Sequence, residues 1–341
     1  MINNQSMLIQ SLPDEAIAHA AQLLEAGELV AFPTETVYGL GADAMNAAAV
    51  AKIYAAKKRP TDHPLIVHLA KDAPLTPWVS HVPRLAEQLI EAFWPGPLTL
   101  ILQRAPSVPA IVCGGQTSIA LRSPGHPLAQ ALLKKFKNGA GGIAAPSANQ
   151  FGRVSPTTVA HVREEFPVGY QPPVYILEGG NVSVGIESTI LDLSRLEQGI
   201  GPVILRPGAI TAENIARVIG VLPQAADVNA PRSSGSLAAH YAPRTLLRLL
   251  PRAQLRAYLS KARTQKIALI CTPPAELFLH AFYIEFAQTT PEAYAYVLYA
   301  MLRRLDSLGF DQIVIEQPPK EAIWAAVTDR LRRAAAAFDS Y

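Results

Sequence analysis

The stretch AKKRPTDHPLIVH, residues 56–68, joins the two kinds of secondary structure on which the fold depends. Its first residues end a helix predicted over NAAAVAKIYAAKK, residues 46–58, because Pro60 cannot continue a helix. Its last residues are an apolar run typical of a buried strand. The cations between them include Lys57 and Arg59, in a chain with only 17% charged residues. Since a helix dipole favours cations at its C-terminal end, this group indicates either a solvated helix end or an anion-binding loop.

Strand and helix patterns alternate on both sides of this stretch. The helix predicted over SPTTVAHVREEF begins with Ser155 as its N-cap and Pro156 as its first residue. The helix over TAENIARVIG begins at Thr211 and ends at Gly220. We therefore predict a mixed α/β domain over residues 1–220. Its strands are ELVAFPT, PLIVHLA, LTLILQ, SIALRS, GGIAAPS, STILDL and PVILRPG, and its other helices are VPRLAEQLIEAFW and PLAQALLKKF.

The periodicity disappears over residues 221–244, VLPQAADVNAPRSSGSLAAHYAPR, where Pro, Ser, Gly and Ala accumulate. That composition is typical of a linker. Strand and helix patterns then resume in KIALICTPP, AFYIEFA, PEAYAYVLYAMLRRLDSLG, QIVIEQPP and EAIWAAVTDRLRRAAAAF. We predict a second, smaller α/β domain over residues 245–341.

Composition excludes several classes of protein. The 341 residues, half of them hydrophobic, can bury a sizeable core and more naturally form two domains than one. The net charge of +3 permits an anionic partner but is far from that of a histone-like polycation. Cys113 and Cys271 are too few for a disulfide framework or zinc cluster, so we expect both to be buried. Without a signal peptide or an apolar run of about 18 residues, we expect a soluble cytoplasmic protein that does not contact a membrane.

The common nucleotide-binding and hydrolase motifs are missing. The sequence contains no G-x-x-x-x-G-K-[ST] loop, no H-E-x-x-H, no C-x-x-C and no G-x-S-x-G. A bound nucleotide would therefore need another device. One candidate is FPTETVYGLGADA, residues 32–44, in which Gly39 and Gly41 would let the backbone pass close to a ligand. The alternative is an ordinary strand-to-turn connection.

Polar side chains recur at the ends of the predicted strands. Arg122 ends SIALRS, where a guanidinium without a partner would be costly, so we expect it to meet a carboxylate or phosphate of the protein or of a ligand. Ser147 and Asn149 follow GGIAAPS, and hydroxyl and amide groups suit phosphate or adenine recognition, although they also cap turns. Ser188 and Arg206 stand at the edges of two further strands. Each signal is weak by itself.

In combination, these residues resemble the threonylcarbamoyladenylate synthase family, whose shared domain is called YrdC-like. The resemblance covers nearly the whole chain, because the part after residue 220 is similar to the C-terminal extension of the long form of the family. It implies a YrdC-like domain with a twisted mixed sheet and a smaller, Rossmann-like C-terminal domain. The matching stretches are FPTETVYGLGADA, KKRPTDHPLIVH, WPGPLTLIL, SIALRSPGHP, APSANQFGRVSPTT, ESTILDL and ILRPGAI.

The resemblance also implies a reaction. Members of this family make threonylcarbamoyl-adenylate and pyrophosphate from ATP, L-threonine and bicarbonate. Partner proteins, the t6A transferases, then pass the threonylcarbamoyl group to an adenosine beside the anticodon of tRNA. The threonine amine forms a carbamate, whose oxygen attacks the α-phosphorus while pyrophosphate leaves. Because charge builds on phosphate oxygens, we expect cations and the Mg²⁺ that accompanies ATP to dominate catalysis, and we assign no protein side chain as a metal ligand.

Two groups of site residues follow from the resemblance. Lys57 and Arg59 are expected to hold the triphosphate and to act in catalysis. Arg122 suits the threonine carboxylate, and His68 would receive the threonine hydroxyl or assist the amine, unless it is simply a core histidine. The complete ATP group is Lys57, Arg59, His63, Ser118, Ser147, Asn149, Ser155, Arg206 and Ser236, and the threonine group is Thr34, His68, Arg122, Ala145 and Ser188.

The linker of the long form is expected to fold back over the active site, with Ser236, His240 and Tyr241 as its contacts. A simple tether is the alternative. The chain departs from the family pattern at two positions. Lys58 stands where the basic motif usually has glycine, and His63 stands where asparagine is common.

Two other functions remain as alternatives. A non-enzymatic RNA-binding domain would hold RNA phosphates on a basic surface, and direct contact with tRNA stays open. The modest net charge and the lack of aromatic stacking stretches argue against it. Hydrogenase maturation factors contain a similar domain, but they use carbamoyl phosphate and carry zinc and acylphosphatase modules that this chain lacks.

Overall fold

The computed structural model describes residues 4–262, 264–274 and 281–339, which form two sheets with their helices. The elements of the first part are α1 (Asn4–Glu25), β1 (Leu29–Phe32), β2 (Gly39–Asp43), α2 (Ala47–Lys57), β3 (Ile66–Leu69), α3 (Arg84–Phe93), β4 (Leu98–Gln103), β5 (Ser118–Arg122), α4 (Pro127–Lys135), β6 (Gly142–Ala144), α5 (Val159–Glu165), β7 (Val174–Ile176), β8 (Thr189–Asp192), β9 (Val203–Arg206), α6 (Ala212–Ile219) and β10 (Gln224–Ala225). Those of the second part are β11 (Leu246–Leu250), α7 (Arg252–Lys261), β12 (Ile267–Cys271), β13 (Tyr283–Phe286), α8 (Pro291–Ser307), β14 (Gln312–Glu316) and α9 (Ala325–Ala336).

The two sheets differ in strand direction. The larger has ten strands in the order β10-β9-β8-β4-β5-β3-β6-β2-β1-β7, with both parallel and antiparallel neighbours. The smaller has the order β11-β14-β12-β13, and all its paired strands are parallel. Parallel neighbours need crossover connections, which α7, α8 and other helices provide. The predicted mixed α/β fold with a second, smaller α/β part is confirmed.

The stretch 56–68 lies at the centre of the larger sheet. Asn46 caps α2 by accepting hydrogen bonds from two backbone N–H groups of its first turn, each at 3.1 Å. The helix ends at Lys57, and Lys58 follows with φ +52°, in the left-handed region that favours glycine at this position. The chain then enters β3, which pairs with β5 and β6.

One local prediction is wrong. Ser155 does not cap α5; Thr158 does, and its side chain accepts from the backbone N–H of His161 at 3.2 Å. The Ser155 hydroxyl instead donates to Glu187 at 2.6 Å, because a buried acceptor lies within its reach. The segment GLGAD, which no pattern predicted as a strand, forms the buried strand β2. Gly41 is required there, since a Cβ atom would lie 2.7 Å from the Ile143 side chain.

The patterns also leave several elements unpredicted, namely α1, β7, β10, β11 and α7. β10 has two residues and β7 has three, too few for a periodicity to show. Both acquire strand geometry by pairing with a longer neighbour, β9 and β1 respectively.

One hydrophobic cluster contains residues of both the first and the second part. Val37 and Ile186 of the first part and Tyr241 of the predicted linker pack in the same cluster as Leu298 of α8 and Val327 of α9. The stretch 221–244 is therefore anchored at both ends: β10 adds to the larger sheet, and Tyr241 is buried between the two parts.

The two cysteines, Cys113 and Cys271, are free and buried, as predicted. Within the described ranges, no helix has the length and apolar character needed to cross a membrane.

Candidate active site

One cavity brings most of the predicted site residues together. It opens where β2, β3, β5 and β6 meet the loops that follow α2 and β6, and the stretch 221–244 covers it. Its remaining volume is about 30 Å³, close to the space of one water molecule. The lining residues are Thr34, Thr36, Val37, Gly39, Lys57, Arg59, Ile66, His68, Arg122, Ala145, Pro146, Ser147, Asn149, Phe151, Glu187, Arg206, Ser234, Gly235, His240 and Tyr241.

Lys57 is fully buried at the end of α2. Its Nζ donates to the backbone carbonyls of Ser147, at 2.6 Å, and Asn149. Burial, together with the neighbouring Arg59 cation, lowers the pKa of Lys57 to about 7. The ammonium is therefore held in place by neutral oxygens, and no described carboxylate pairs with it.

Arg59 reaches the cavity from the loop after α2. Its Nη2 donates to the Pro64 carbonyl at 3.0 Å, and its guanidinium lies 5.7 Å from the centre of the Phe151 ring. Burial lowers the pKa of Arg59 to about 10, so the side chain stays charged near neutrality. In the described part of the chain its Nε has no hydrogen-bond partner. Pro60 turns the chain so that both cations face one space.

His68 and Arg122 lie side by side because β3 and β5 are in register at these two residues. Arg122 is paired with the buried Glu35 at 2.7 Å, and its Nη1 donates to the Thr36 hydroxyl at 2.9 Å. The carboxylate partner predicted for Arg122 is thus supplied by the protein itself, through Glu35. Burial, aided by the Arg122 charge, lowers the pKa of His68 to about 3, which makes its ring neutral at physiological pH. Its Nδ1 is buried without a partner among the described residues.

Neutral groups fill the wall between these cations. The Thr34 hydroxyl donates to the Val37 carbonyl at 2.6 Å, which fixes the loop between β1 and β2. Asn149 donates through Nδ2 to the backbone carbonyls of Gln150 and Arg153, and its buried Oδ1 has no partner in the described ranges. That oxygen is an available acceptor. Ala145 also lines the cavity and takes up little of its space, because its side chain is a single methyl group.

Arg206 ends β9 on the other side of the cavity. Its Nε and Nη2 donate to the carbonyl and hydroxyl of Ser188, at 3.0 and 3.1 Å, and its Nη1 donates to the Ser234 carbonyl at 3.0 Å. All of these acceptors are neutral, so the guanidinium charge is not cancelled by them.

The stretch 221–244 closes the cavity. His240 and Tyr241 are buried, and the centres of their rings lie 4.1 Å apart. Tyr241 has φ +62°, a left-handed conformation that is unusual for an aromatic residue. Gly235 has φ +78° and lies so close to the Tyr241 hydroxyl that a side chain would clash with it. Burial lowers the pKa of His240 to about 3 and keeps its ring neutral.

Five of the predicted residues do not line the cavity. Ser188 is buried behind Arg206, and Ser155 is bonded to Glu187. His63 is half-buried, with its ring 5.4 Å from that of Phe151. Ser118 is buried at the start of β5, and the hydroxyl of Ser236 donates to the Ser233 carbonyl at 2.8 Å.

Family comparisons identify the chain. A family model described as "Telomere recombination" (Sua5_yciO_yrdC) matches residues 22–208, and one described as "Threonylcarbamoyl-AMP synthase, C-terminal domain" matches residues 210–336. The threonylcarbamoyl-AMP synthase of Bacillus subtilis is 40% identical over 95% of this chain and 94% of its own length. That of Pyrococcus abyssi is 37% identical over 92% of each. The chain belongs to the threonylcarbamoyl-AMP synthase family.

A solved structure from this family agrees with the fold of both parts. The crystal structure of P. abyssi Sua5 in complex with L-threonine matches with a TM-score of 0.82 at 36% identity, covering 94% of each chain. The predicted membership in the threonylcarbamoyl-AMP synthase family, in its long form, is confirmed.

Sequence reasoning did not single out several lining residues of this threonylcarbamoyl-AMP synthase fold. Glu187 and Phe151 lie inside quoted motifs, ESTILDL and APSANQFGRVSPTT, but no pattern separates them from their neighbours. Ser234 and Gly235 lie in the Pro- and Ser-rich stretch, whose composition indicates a linker and nothing more. Among the described residues, no group of three or more His, Cys, Asp or Glu side chains could hold a metal ion.

Proposed function

We propose that this chain condenses ATP, L-threonine and bicarbonate into threonylcarbamoyl-AMP and pyrophosphate, and so supplies the t6A modification of tRNA through partner transferase proteins. The observation that carries this proposal is the convergence of four cations, Lys57, Arg59, Arg122 and Arg206, on one cavity. Such a set suits two anionic substrates, and membership in the threonylcarbamoyl-AMP synthase family supports their identity.

The threonine end of the site is proposed to lie at Arg122, His68, Thr34 and Ala145. Arg122 donates from Nε to the Gly96 carbonyl and from Nη1 to the Thr36 hydroxyl, and its Nη2 lies 2.7 Å from Oε1 of Glu35 as an ion pair, so N–H groups remain for the substrate carboxylate. His68 is neutral, and its Nδ1, which has no hydrogen-bond partner among the described residues, is suited to accept a hydrogen bond from the threonine hydroxyl. With a pKa of about 3, the ring is too weak a base to activate the amine, so we assign it a positioning role.

The nucleotide end is proposed to lie at Lys57, Arg59, Ser147, Asn149 and Arg206. The carbamate oxygen attacks the α-phosphorus, and the bond to the β-phosphate oxygen breaks, so pyrophosphate leaves with the bonding electrons. Buried cations fixed before the reaction stabilise that developing charge without reorganisation. Lys57 and Arg59 are held by backbone carbonyls, which meets this requirement. We also retain His63, Ser118, Ser155 and Ser236 as supporting residues of the nucleotide end and Ser188 as a supporting residue of the threonine end, although none lines the cavity.

Magnesium is proposed to enter as a complex with the triphosphate. Glu187 is the one carboxylate that lines the described cavity, and both of its oxygens already accept hydrogen bonds. The site residues therefore do not offer a set of metal ligands, and phosphate oxygens would hold the ion.

The stretch 221–244 is proposed to act as a lid. A cavity of about 30 Å³ cannot admit a nucleotide, since ligand pockets measure about 300–1,000 Å³. His240 and Tyr241 must therefore withdraw before ATP binds. Their return would exclude water from the adenylate, which is an activated acyl compound. Replacing His240 and Tyr241 with alanine in the full-length chain should impair synthesis if the lid is required, whereas unchanged turnover would reduce the stretch to a tether.

The test of the proposed function is pyrophosphate release from ATP with Mg²⁺, with threonine or bicarbonate omitted in turn, and mass spectrometry of the nucleotide product. Release that requires both, with an adenylate carrying threonine and one carbonyl, supports the proposal. Release without threonine would indicate another acyl donor, and nucleotide binding without release would contradict synthase activity.

A further inference from the structure

A buried carboxylate of the cavity is neutralised from the second part of the chain. Glu187 precedes β8, and its Oε1 accepts from the Ser155 hydroxyl at 2.6 Å. Its Oε2 accepts from the Tyr299 hydroxyl of α8 and from Nε of Arg330 on α9, each at 2.8 Å. Two of the three donors thus come from the C-terminal helices.

Arg330 is placed to stabilise both flanks of the Arg206 site. Its side chain is completely buried. Its Nη2 donates to the Glu187 carbonyl at 3.3 Å, just before Ser188, and its Nη1 donates to the Pro207 carbonyl at 2.9 Å, just after Arg206. Its guanidinium also lies 5.3 Å from the centre of the Tyr241 ring. Burial by itself would raise the pKa of Glu187, but the Arg330 and Arg206 cations and the hydrogen bonds from Ser155 and Arg330 lower it to about 2. The carboxylate is therefore ionised.

The arrangement determines which arginine the carboxylate neutralises. Within the described residues Arg206 forms no ion pair, and its bonds go to oxygens of Ser188 and Ser234. Glu187 already interacts electrostatically with Arg206, and it precedes Ser188, to which Arg206 is bonded, so we expect Arg206 to pair with Glu187 if Arg330 is removed. A buried carboxylate cannot stay unpaired at low cost.

We propose that Arg330 is a positioning residue for nucleotide binding: by pairing with Glu187 it prevents that carboxylate from capturing Arg206, whose charge then remains available to a phosphate anion in the cavity. The inference rests on the proposed function only in that a nucleotide occupies this site. It gives the C-terminal part of the chain a defined electrostatic role at a cavity built mainly by the first part.

The experiment compares full-length Arg330→Met with wild type. Binding of α,β-methylene-ATP, which cannot release pyrophosphate, is measured by calorimetry, and KM values for ATP and threonine are measured by pyrophosphate release. We expect nucleotide affinity to fall about tenfold and KM for ATP to rise by a similar factor, with KM for threonine within about twofold of wild type. Arg330→Lys keeps the charge and should retain most of the affinity.

The double variant Arg330→Met/Glu187→Gln provides the decisive comparison. With the carboxylate removed, Arg206 has nothing to pair with, so nucleotide affinity should recover relative to Arg330→Met. Arg332→Met is the matched control, because Arg332 is exposed on the same helix. If Arg330 had only a structural role, Arg330→Met would weaken the binding of ATP and of threonine together, and adding Glu187→Gln would not restore ATP binding selectively.

Several outcomes would overturn the inference: unchanged nucleotide affinity in Arg330→Met, equal losses for ATP and threonine, or no recovery in the double variant. If Arg330→Met does not fold, Arg330→Lys and Arg330→Gln decide the question. A loss in Arg330→Lys of about tenfold or more contradicts a role for the charge, and an unchanged nucleotide affinity in Arg330→Gln contradicts competition for Glu187. Wild-type protein that binds the analogue but makes no adenylate would refute the proposed function and leave this inference testable.

Discussion

The two ends of the cavity contain the same pair of residue types in opposite arrangements. At the proposed threonine end, the buried Arg122 is paired directly with the buried Glu35. At the proposed nucleotide end, the buried Glu187 is paired with Arg330, and Arg206 is left with neutral acceptors. One end therefore presents a neutralised arginine and the other a charged one. The difference fits their proposed ligands, since a zwitterionic amino acid needs less positive charge than a triphosphate.

Substitution of Arg122 is expected to have the largest effect on this difference between the two ends. Arg122→Ala leaves Glu35 buried without a cation, so we expect a loss of about 3–5 kcal/mol in the free energy of unfolding, together with loss of synthesis. The double variant Arg122→Met/Glu35→Gln should recover stability but not activity. Denaturant unfolding and the pyrophosphate assay measure the two effects. An active Arg122→Ala variant would remove this residue from the threonine site.

Arg59 tests the nucleotide end without this complication. No described carboxylate pairs closely with Arg59, so Arg59→Ala should leave the protein folded. We expect kcat/KM for ATP to fall about 10²–10³-fold, the range for removal of one fixed transition-state donor. Lys58→Ala is the matched control, because Lys58 is the adjacent exposed cation. Similar losses in both variants would show that only the net charge of the loop matters.

The pH dependence of stability sharpens the comparison between His68 and Lys57. Both side chains are bases whose pKa is lower in the folded protein than in the unfolded chain, about 3 instead of 6.5 for His68 and about 7 instead of 10.5 for Lys57. Between the two pKa values of each residue, the unfolded chain therefore binds more protons than the folded protein. The contribution of each residue to the free energy of unfolding therefore increases with pH, between about pH 3 and pH 6.5 for His68 and between about pH 7 and pH 10.5 for Lys57.

The measurement is the unfolding free energy of wild type minus that of His68→Asn or Lys57→Met, followed over pH. Within each interval the difference should increase by up to about 1.4 kcal/mol per pH unit. A difference that stays flat for Lys57→Met would mean that Lys57 keeps its ordinary pKa. Because the two pH intervals do not overlap, the His68→Asn variant reports on the threonine end and the Lys57→Met variant on the nucleotide end.

The smallest expected effect is at Lys58, which is next to the nucleotide end but outside the cavity. With φ +52° it adopts a conformation that costs a residue with a side chain about 1–2 kcal/mol. Lys58→Gly should raise the free energy of unfolding by about 1 kcal/mol, and turnover should not change. Thermal denaturation beside the activity assay checks both statements. A destabilised Lys58→Gly variant would contradict the conformational explanation.

Lys58 also shows how far the sequence could be interpreted. The departure from the glycine of the family pattern was visible in the sequence, but its reason, the left-handed end of α2, is visible only in the structure. The prediction of Ser155 as the cap failed in a related way, because SPTT contains three hydroxyl residues, and the buried Glu187 binds Ser155 while Thr158 caps the helix. β2 was missed because its glycines resemble turn residues until Phe32 and Ile143 are seen packed against Gly41.

The sequence by itself determined most of the strands and helices, the cations Lys57, Arg59, Arg122 and Arg206, and the family to which the chain belongs. Those features are local, because periodicity, proline and motif spacing act over a few residues. Only the tertiary structure decided the pairing of the buried charges. Arg330 lies 143 positions from Glu187, and Glu35 lies 87 from Arg122. No local pattern specifies such pairs, because they are set by which elements the two cores bring into contact.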